Sequence, residues 1–205
     1  MVIIVDYDMG NVASVKNALD ALGAESKISR ESKDFDRATH IILPGVGTFS
    51  DGMNKLAERG LIKTLEGQVL KNKKAFLGIC LGMQLLAEVG EEGGLHKGLG
   101  WVKGKTRKLS VSKKHFRLPH IGWNDVYPAD NSLLFENVKP SVFYFIHSYC
   151  LAPDESGVVT ATCEYGEEFT ASVAVDNLFG VQFHPERSQK SGLRILENFL
   201  NFKDA

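Results

Sequence analysis

A single cysteine framed by two glycines, Gly78-Ile79-Cys80-Leu81-Gly82, constrains this chain more than any other feature. An apolar run, Ala75-Phe76-Leu77-Gly78-Ile79, leads straight into Cys80, and helix-forming Met83-Gln84-Leu85-Leu86-Ala87 follows at once. A buried strand that passes into a helix through one residue must turn sharply, so the spacing predicts a nucleophile elbow at Cys80. The flanking glycines are expected to supply permissive backbone and to let a substrate approach closely. The new helix would aim N–H groups at the sulfur and favour the thiolate.

Taken alone, a cysteine at a strand end is more often a small buried apolar residue. A later segment changes that reading. Leu178-Phe179-Gly180-Val181-Gln182-Phe183 reads as another apolar strand, and it runs into His184-Pro185-Glu186. A strand end can hold an imidazole rigidly beside an elbow, and a carboxylate two residues on can fix its tautomer. Cys80, His184 and Glu186 together follow the logic of an activated nucleophile.

The first half of the chain alternates short apolar strands with amphipathic helices. Val2–Val5 reads as a buried strand, and Asn11 as the cap of a helix carrying Val12, Val15, Ala18, Leu19 and Leu22, ended by Gly23. Ile41–Leu43 is the next strand. After a turn at Pro44–Gly47, helical faces at Met53, Leu56, Ala57 and at Leu61, Ile62, Leu65, Val69 lead into the Ala75–Ile79 strand. The second half is richer in strands, with β-rich runs at Val142–Ile146, Val158–Thr162, Ala171–Val175 and Phe179–Phe183, and a closing helix over Leu193, Leu196, Phe199 and Leu200. This order implies a single-domain α/β fold whose mixed, mostly parallel central sheet is flanked by helices. Ligands of such sheets bind beyond the carboxyl ends of the strands, where Gly45, Cys80 and His184 would converge.

The 205 residues suit one domain, and no linker or low-complexity tract divides them. A formal net charge of −1 argues against a dedicated nucleic-acid or membrane-surface protein. The opening apolar run stops at Asp6 and is too short for a signal peptide or membrane span. Cys80, Cys150 and Cys163 are three cysteines without metal-ligand spacing, which fits a reducing cytoplasm. Cys150 and Cys163 read as core packing, and no metal or cofactor is expected. Lys103, Lys105, Arg107, Lys108, Lys113, Lys114 and Arg117 crowd one stretch, which reads as a solvated hairpin with Thr106, Lys108, Ser110 and Ser112 on its wet side. His120 and His147 lie in aromatic, apolar neighbourhoods and read as hydrogen-bonded core residues, with His147 the better placed to line a pocket.

The elbow Gly78-Ile79-Cys80-Leu81-Gly82-Met83-Gln84 and the segment Gln182-Phe183-His184-Pro185-Glu186 resemble the two signatures of class I glutamine amidotransferases. Three further segments, Leu43-Pro44-Gly45-Val46-Gly47-Thr48-Phe49, Pro119-His120-Ile121-Gly122-Trp123-Asn124 and Tyr144-Phe145-Ile146-His147-Ser148-Tyr149, resemble the branch of glutaminase subunits that serve imidazole glycerol phosphate synthase. The resemblance spans essentially the whole chain. It implies a Cys80, His184 and Glu186 triad that hydrolyses glutamine through a glutamyl thioester. It further implies an oxyanion hole from the backbone of Leu81 and of Val46 or Gly47, on a loop thought to flip into place on activation.

Glutamine contacts are implied at Gly45, Gly82, Gln84, Glu92, His147, Ser148 and Tyr149. The implied partner is a separate (β/α)₈ cyclase that uses the ammonia, in a heterodimer contacted by Asn11, Trp123, Tyr144 and Arg187. Two residues depart from the family pattern: Asp8 stands where glycine is common, and Arg187 where lysine is common. Some relatives serve a sugar amidination step for surface polysaccharides, and that acceptor stays open at this point. The remaining alternatives are a cysteine peptidase on a related fold and a regulatory protein that binds a partner without catalysis.

Overall fold

The computed structural model describes residues 1–112, 114–130 and 132–203. The chain opens with β1 (Val2–Val5), α1 (Val12–Ala21), β2 (Ser26–Ser29), α2 (Ser32–Asp36), β3 (His40–Gly45), α3 (Phe49–Glu58) and α4 (Leu61–Leu65), and a π-helical turn over Glu66–Lys71 then leads to β4 (Ala75–Cys80). Next come α5 (Leu81–Gln84), β5 (Ala87–Gly90), β6 (His96–Lys97), β7 (Val102–Lys108) and β8 (His120–Pro128). The chain closes with β9 (Val142–His147), β10 (Tyr149–Pro153), β11 (Val159–Glu164), β12 (Glu168–Val175), β13 (Leu178–Val181) and α6 (Gln189–Asn201).

A nine-stranded sheet in the order β2-β1-β3-β4-β13-β12-β11-β8-β9 forms the centre. Its first five strands run parallel, and each of the remaining four is antiparallel to the neighbour before it. The strands β1, β3, β4 and β13 are buried on both faces, which is why they read as continuous apolar runs. One face packs Val15, Leu19, Ile195, Leu196 and Phe199 from α1 and α6 against Ile4, Ile42 and Leu77. The other packs Phe35, Leu56, Leu61 and Leu65 from α2, α3 and α4 against Ile3, Ile41 and Phe76. The α/β domain with a mixed sheet matches the expectation.

A second sheet, in the order β10-β7-β5-β6, was not anticipated. It overturns two local readings. The helix expected through Ala87 is a single turn, because the carbonyls of Leu85, Leu86 and Ala87 accept from the N–H groups of Leu99, Val102 and Gly100. The basic stretch is a strand only as far as Lys108 and does not fold into a hairpin, with β7 running antiparallel to β10 and parallel to β5. Thr106, expected on its wet side, is fully buried and donates to the Gln84 carbonyl at 2.9 Å. Lys103, Lys105 and Arg107 turn outward and pair with Glu155, Glu91 and Glu167. Lys113 lies outside the described residues. Cys150 and Cys163 are buried, as expected of core residues. No described helix is long and apolar enough to cross a membrane.

Candidate active site

Three neighbouring parallel strands, β3, β4 and β13, end at one edge of the sheet, and the site grows from their tips. The register sets Gly45 opposite Cys80 and Val181 opposite Ile79, so Gln182 and the segment through Glu186 emerge beside the elbow. Cys80 has φ +53 and ψ −107 between β4 and α5, a conformation that side chains rarely adopt. The strain therefore sits on the cysteine, not on its glycines.

Gly78 and Gly82 serve close packing instead. A Cβ on Gly82 would collide with the Leu43 carbonyl oxygen, and one on Gly78 would come within 2.6 Å of the Gly82 carbonyl oxygen. Their absent side chains bring strand and helix close enough to make the elbow. Gly45 is packed just as tightly, against the hydroxyl of Tyr7 and the side chain of Leu81. Tyr7 is wholly buried; burial first, then the nearby Cys80, holds its phenol neutral.

His184 follows β13 and begins the 3₁₀ turn Pro185–Arg187. Its Nδ1 donates to Glu186 Oε1 at 2.7 Å, with both side chains nearly inaccessible to solvent. The His184 N–H donates to the Tyr144 carbonyl at 2.9 Å, and Ser188 Oγ donates to the His184 carbonyl at 2.6 Å while accepting from the Tyr144 N–H at 3.0 Å. Ser188 thus staples the histidine turn to β9, a role no local motif announced. Burial disfavours charge on the His184 ring, but Cys80 and then Glu186 outweigh it, and its proton affinity is pushed up to about 10. Nε2 is buried without a hydrogen bond of full geometry among the described residues, so it remains free for the sulfur that acts on the ring.

A cleft of about 260 Å³ opens over the sulfur, lined by Val46, Gly47, Cys80, Leu81, Gln84, Glu92, Pro119, Ile146, His147, Ser148 and Tyr149. Most residues expected to touch substrate or form the oxyanion hole meet there. Gly45 and Gly82 sit behind it in backbone packing. Glu92 Oε2 also accepts from the Phe49 N–H at 2.9 Å, which ties its carboxylate to the start of α3. Pro44 and Gly45 belong to β3 and only Val46 and Gly47 turn, with Gly47 at φ +113, so the expected Pro44–Gly47 turn is half strand.

His147 Nδ1 donates to the Tyr149 carbonyl at 2.8 Å, which leaves its Nε2 to accept from His120 Nδ1 at 3.4 Å. His120 Nε2 in turn faces Asn124 Nδ2 at 3.4 Å. Every ring nitrogen is satisfied in one set of neutral tautomers. Burial pushes the proton affinities of His120 and His147 down to about 4 and about 3.

Outside the cleft, the Arg187 guanidinium lies 4.5 Å over the Tyr144 ring, and Trp123 meets Tyr144 edge-on at 6.1 Å. Ile121, Trp123 and Ile146 are exposed on the same sheet edge, where β8 pairs with β9. Asn11 is exposed and caps α1, accepting from the Ser14 N–H at 3.2 Å. Asp8 has φ +66, which explains why glycine suits that position, and Arg30 and Arg59 hold its carboxylate. Among the described residues, no three His, Cys, Asp or Glu side chains are arranged to hold a metal ion.

Comparison with known proteins points one way. The family model for glutamine amidotransferase class-I matches residues 3–202. The chain is 46% identical over 201 residues to "Imidazole glycerol phosphate synthase subunit HisH 2" of Methanococcus maripaludis, covering 98% of each chain. It is 44% identical to the protein named HisH of the same synthase in Sulfurimonas denitrificans, covering 100% of this chain and 99% of that one. Among solved structures, one titled "Crystal structure of glutamine amidotransferase" superimposes with a TM-score of 0.74 at 21% identity, over 98% of this chain and 97% of that one. The structure of PurLQS from Thermotoga maritima gives 0.68 at 21% identity, over 98% and 97% of the two chains.

Proposed function

This chain belongs to the class I glutamine amidotransferases, and on that premise we propose that it hydrolyses glutamine at Cys80 and delivers the ammonia to a cyclase partner forming imidazole glycerol phosphate. The observation that carries the reading is that a strained Cys80, lining the cleft, stands beside a buried imidazole of raised proton affinity that a buried carboxylate holds in place. The names and full-length similarity of the HisH relatives support the choice of acceptor.

Cys80 Sγ attacks the side-chain carbonyl carbon of glutamine. Negative charge builds on the carbonyl oxygen, where the N–H groups of Leu81 and of Val46 or Gly47 would receive it. His184, carrying the proton, gives it to the departing nitrogen as the C–N bond breaks, and ammonia leaves a glutamyl thioester. Water attacks that thioester, with His184 now taking the proton, and glutamate is released. Glu186 fixes the ring and stabilises the imidazolium throughout.

Free ammonia in neutral water is mostly ammonium, which is not a nucleophile, so a glutaminase without a synthase domain needs a docked acceptor. The exposed Ile121, Trp123 and Ile146 with the Arg187–Tyr144 stack supply a surface of interface character for the (β/α)₈ cyclase. Val46 and Gly47 are the gate in this reading, since Val46 is 45% exposed and Gly47 has positive φ. An oxyanion donor out of place costs roughly 10²–10³ in rate. The test is steady-state glutamine hydrolysis by the purified chain, alone and with the cyclase and its ligand. Slow turnover alone and stimulation of about 10²-fold or more is expected. Full turnover alone, unchanged by the partner, would contradict the gate, and failure to bind that cyclase would point to another acceptor.

A further inference from the structure

We propose that the side-chain amide of Gln182 donates a hydrogen bond to the Cys80 sulfur, held in that orientation by Gln84, and stabilises the thiolate from which the reaction starts. Gln182 is completely buried, and its Nε2 lies 3.6 Å from Cys80 Sγ. Its Oε1 lies 3.2 Å from Gln84 Nε2, which is also 2.8 Å from the Tyr149 carbonyl oxygen.

The polarity of this chain follows from its far end. A main-chain carbonyl can only accept, so the Gln84 atom facing Tyr149 must be the NH₂ group. Its second hydrogen points at Gln182, so the atom there must be the carbonyl oxygen. The other half of the Gln182 amide is then the NH₂ group, and it faces the sulfur. A flipped Gln182 would set two NH₂ groups against each other in a buried site, which carries the cost of unsatisfied polar groups. Main chain, Gln84 and Gln182 thus deliver an N–H to the nucleophile. A donor favours the charged acceptor over the neutral one, so it favours S⁻ over S–H. The main-chain acceptor open to a thiol proton, the Ile146 carbonyl, is 4.0 Å away, at the limit for sulfur.

Gln84 spends both amide hydrogens in this chain while also lining the substrate cleft. Substrate contact at Gln84 and the charge on Cys80 are therefore linked through one intervening residue. The consequence for turnover rests on the glutaminase reading, but the hydrogen bond itself does not.

The experiment is the pH profile of iodoacetamide alkylation at Cys80 in the full chain, followed by peptide mass, in wild type, Gln182→Met and Gln182→Glu. Cys150 and Cys163 are buried, with thiols pushed up to about 12, and serve as slow internal references. Gln182→Met is expected to raise the midpoint of the Cys80 profile by about one pH unit, so that alkylation below the midpoint falls about tenfold. Gln182→Glu, which replaces the donor by an acceptor, is expected to raise it further. An unmoved midpoint in a folded Gln182→Met chain would overturn the proposal and leave Gln182 a packing residue. If neither Gln182 variant folds, Gln84→Met leaves Gln182 in place but frees its amide to turn. A smaller upward shift is then expected, and no shift would overturn the proposal. Alkylation needs no glutamine, so the shift together with a glutaminase rate that stays absent in the assembled complex would refute the functional reading alone.

Discussion

His184 Nδ1 stands 2.7 Å from Glu186 Oε1 across a single 3₁₀ turn, with their side chains 4% and 2% exposed. Two residues of separation let one tight turn fold the carboxylate back onto the ring, and burial keeps water from competing for it. Nδ1 is therefore committed, and only Nε2 can exchange a proton with sulfur or substrate.

Glu186→Gln is expected to keep the fold and lose most of the turnover. The amide can still accept from Nδ1, but it no longer stabilises imidazolium and can turn to present its NH₂. A fall in kcat of about 10²–10⁴ with KM little changed is expected, by analogy with neutralised triad carboxylates. The check is steady-state glutamine hydrolysis in the activated complex, alongside a histidine NMR titration. The proton affinity of His184, pushed up to about 10, should drop.

Gly82→Ala and Gly67→Ala separate a glycine required by packing from one that is not. The alanine methyl at position 82 would collide with the Leu43 carbonyl oxygen, whereas position 67, in a helical turn, has open space. Gly82→Ala is expected to cost about 2–4 kcal/mol by forcing backbone apart. Gly67→Ala is expected to be neutral or stabilising by up to about 1 kcal/mol. Urea unfolding of the two variants checks both.

Stability should decline on the acid side of neutrality through His120 and His147. Their ordinary value is 6.5, and burial lowers the folded values to about 4 and about 3. Between pH 6.5 and about 4 the unfolded chain takes up protons that the folded chain refuses, so each histidine removes about 1.4 kcal/mol per pH unit as pH falls. His184 has the opposite sign: raised to about 10, its contribution is complete below 6.5 and is lost as pH rises toward 10. Replacing His120 with Gln should flatten the acid limb by about 1.4 kcal/mol per unit. An unchanged limb, measured by denaturant unfolding across that window, would contradict the neutral pair.

On the proposed docking face, Arg187→Ala is expected to weaken the partner complex by about 2 kcal/mol or more, because it removes the guanidinium stacked over the Tyr144 ring, which Trp123 meets edge-on. Arg187→Lys should recover part of the loss, keeping the charge without the planar stack. Calorimetric titration with the cyclase reads both, and wild-type affinity in Arg187→Ala would remove this face from the interface.

What could be read from the sequence was local. The β1 strand, the Asn11 cap and the elbow each depend on a few consecutive residues, and each is where its pattern puts it. The second sheet depends on distant partners. Leu85, Leu86 and Ala87 look helical until residues from Leu99 to Val102 capture their carbonyls. β8 alternates in exposure but carries Gly122, Asn124 and Asp125, so its sequence does not read as a strand. Thr106 looks like a wet-face residue until the end of α5 needs a donor for Gln84. The site residues that announced themselves were those with distinctive chemistry, Cys80, His184 and Glu186. Ser188 and Gln182 act through hydrogen bonds to groups far along the chain, and no spacing rule marks them.

The central claim is that Cys80 is the nucleophile that frees ammonia for a docked acceptor, and Cys80→Ser in the assembled complex tests it most directly. A hydroxyl is far less acidic than a thiol, and a His184 tuned to thiolate does not activate it. The measurement compares product formation from glutamine with product formation from ammonium salts. Loss of the glutamine-dependent rate with the ammonium-dependent rate intact is the expected result. A near-wild-type rate from glutamine in the Cys80→Ser complex would contradict the account.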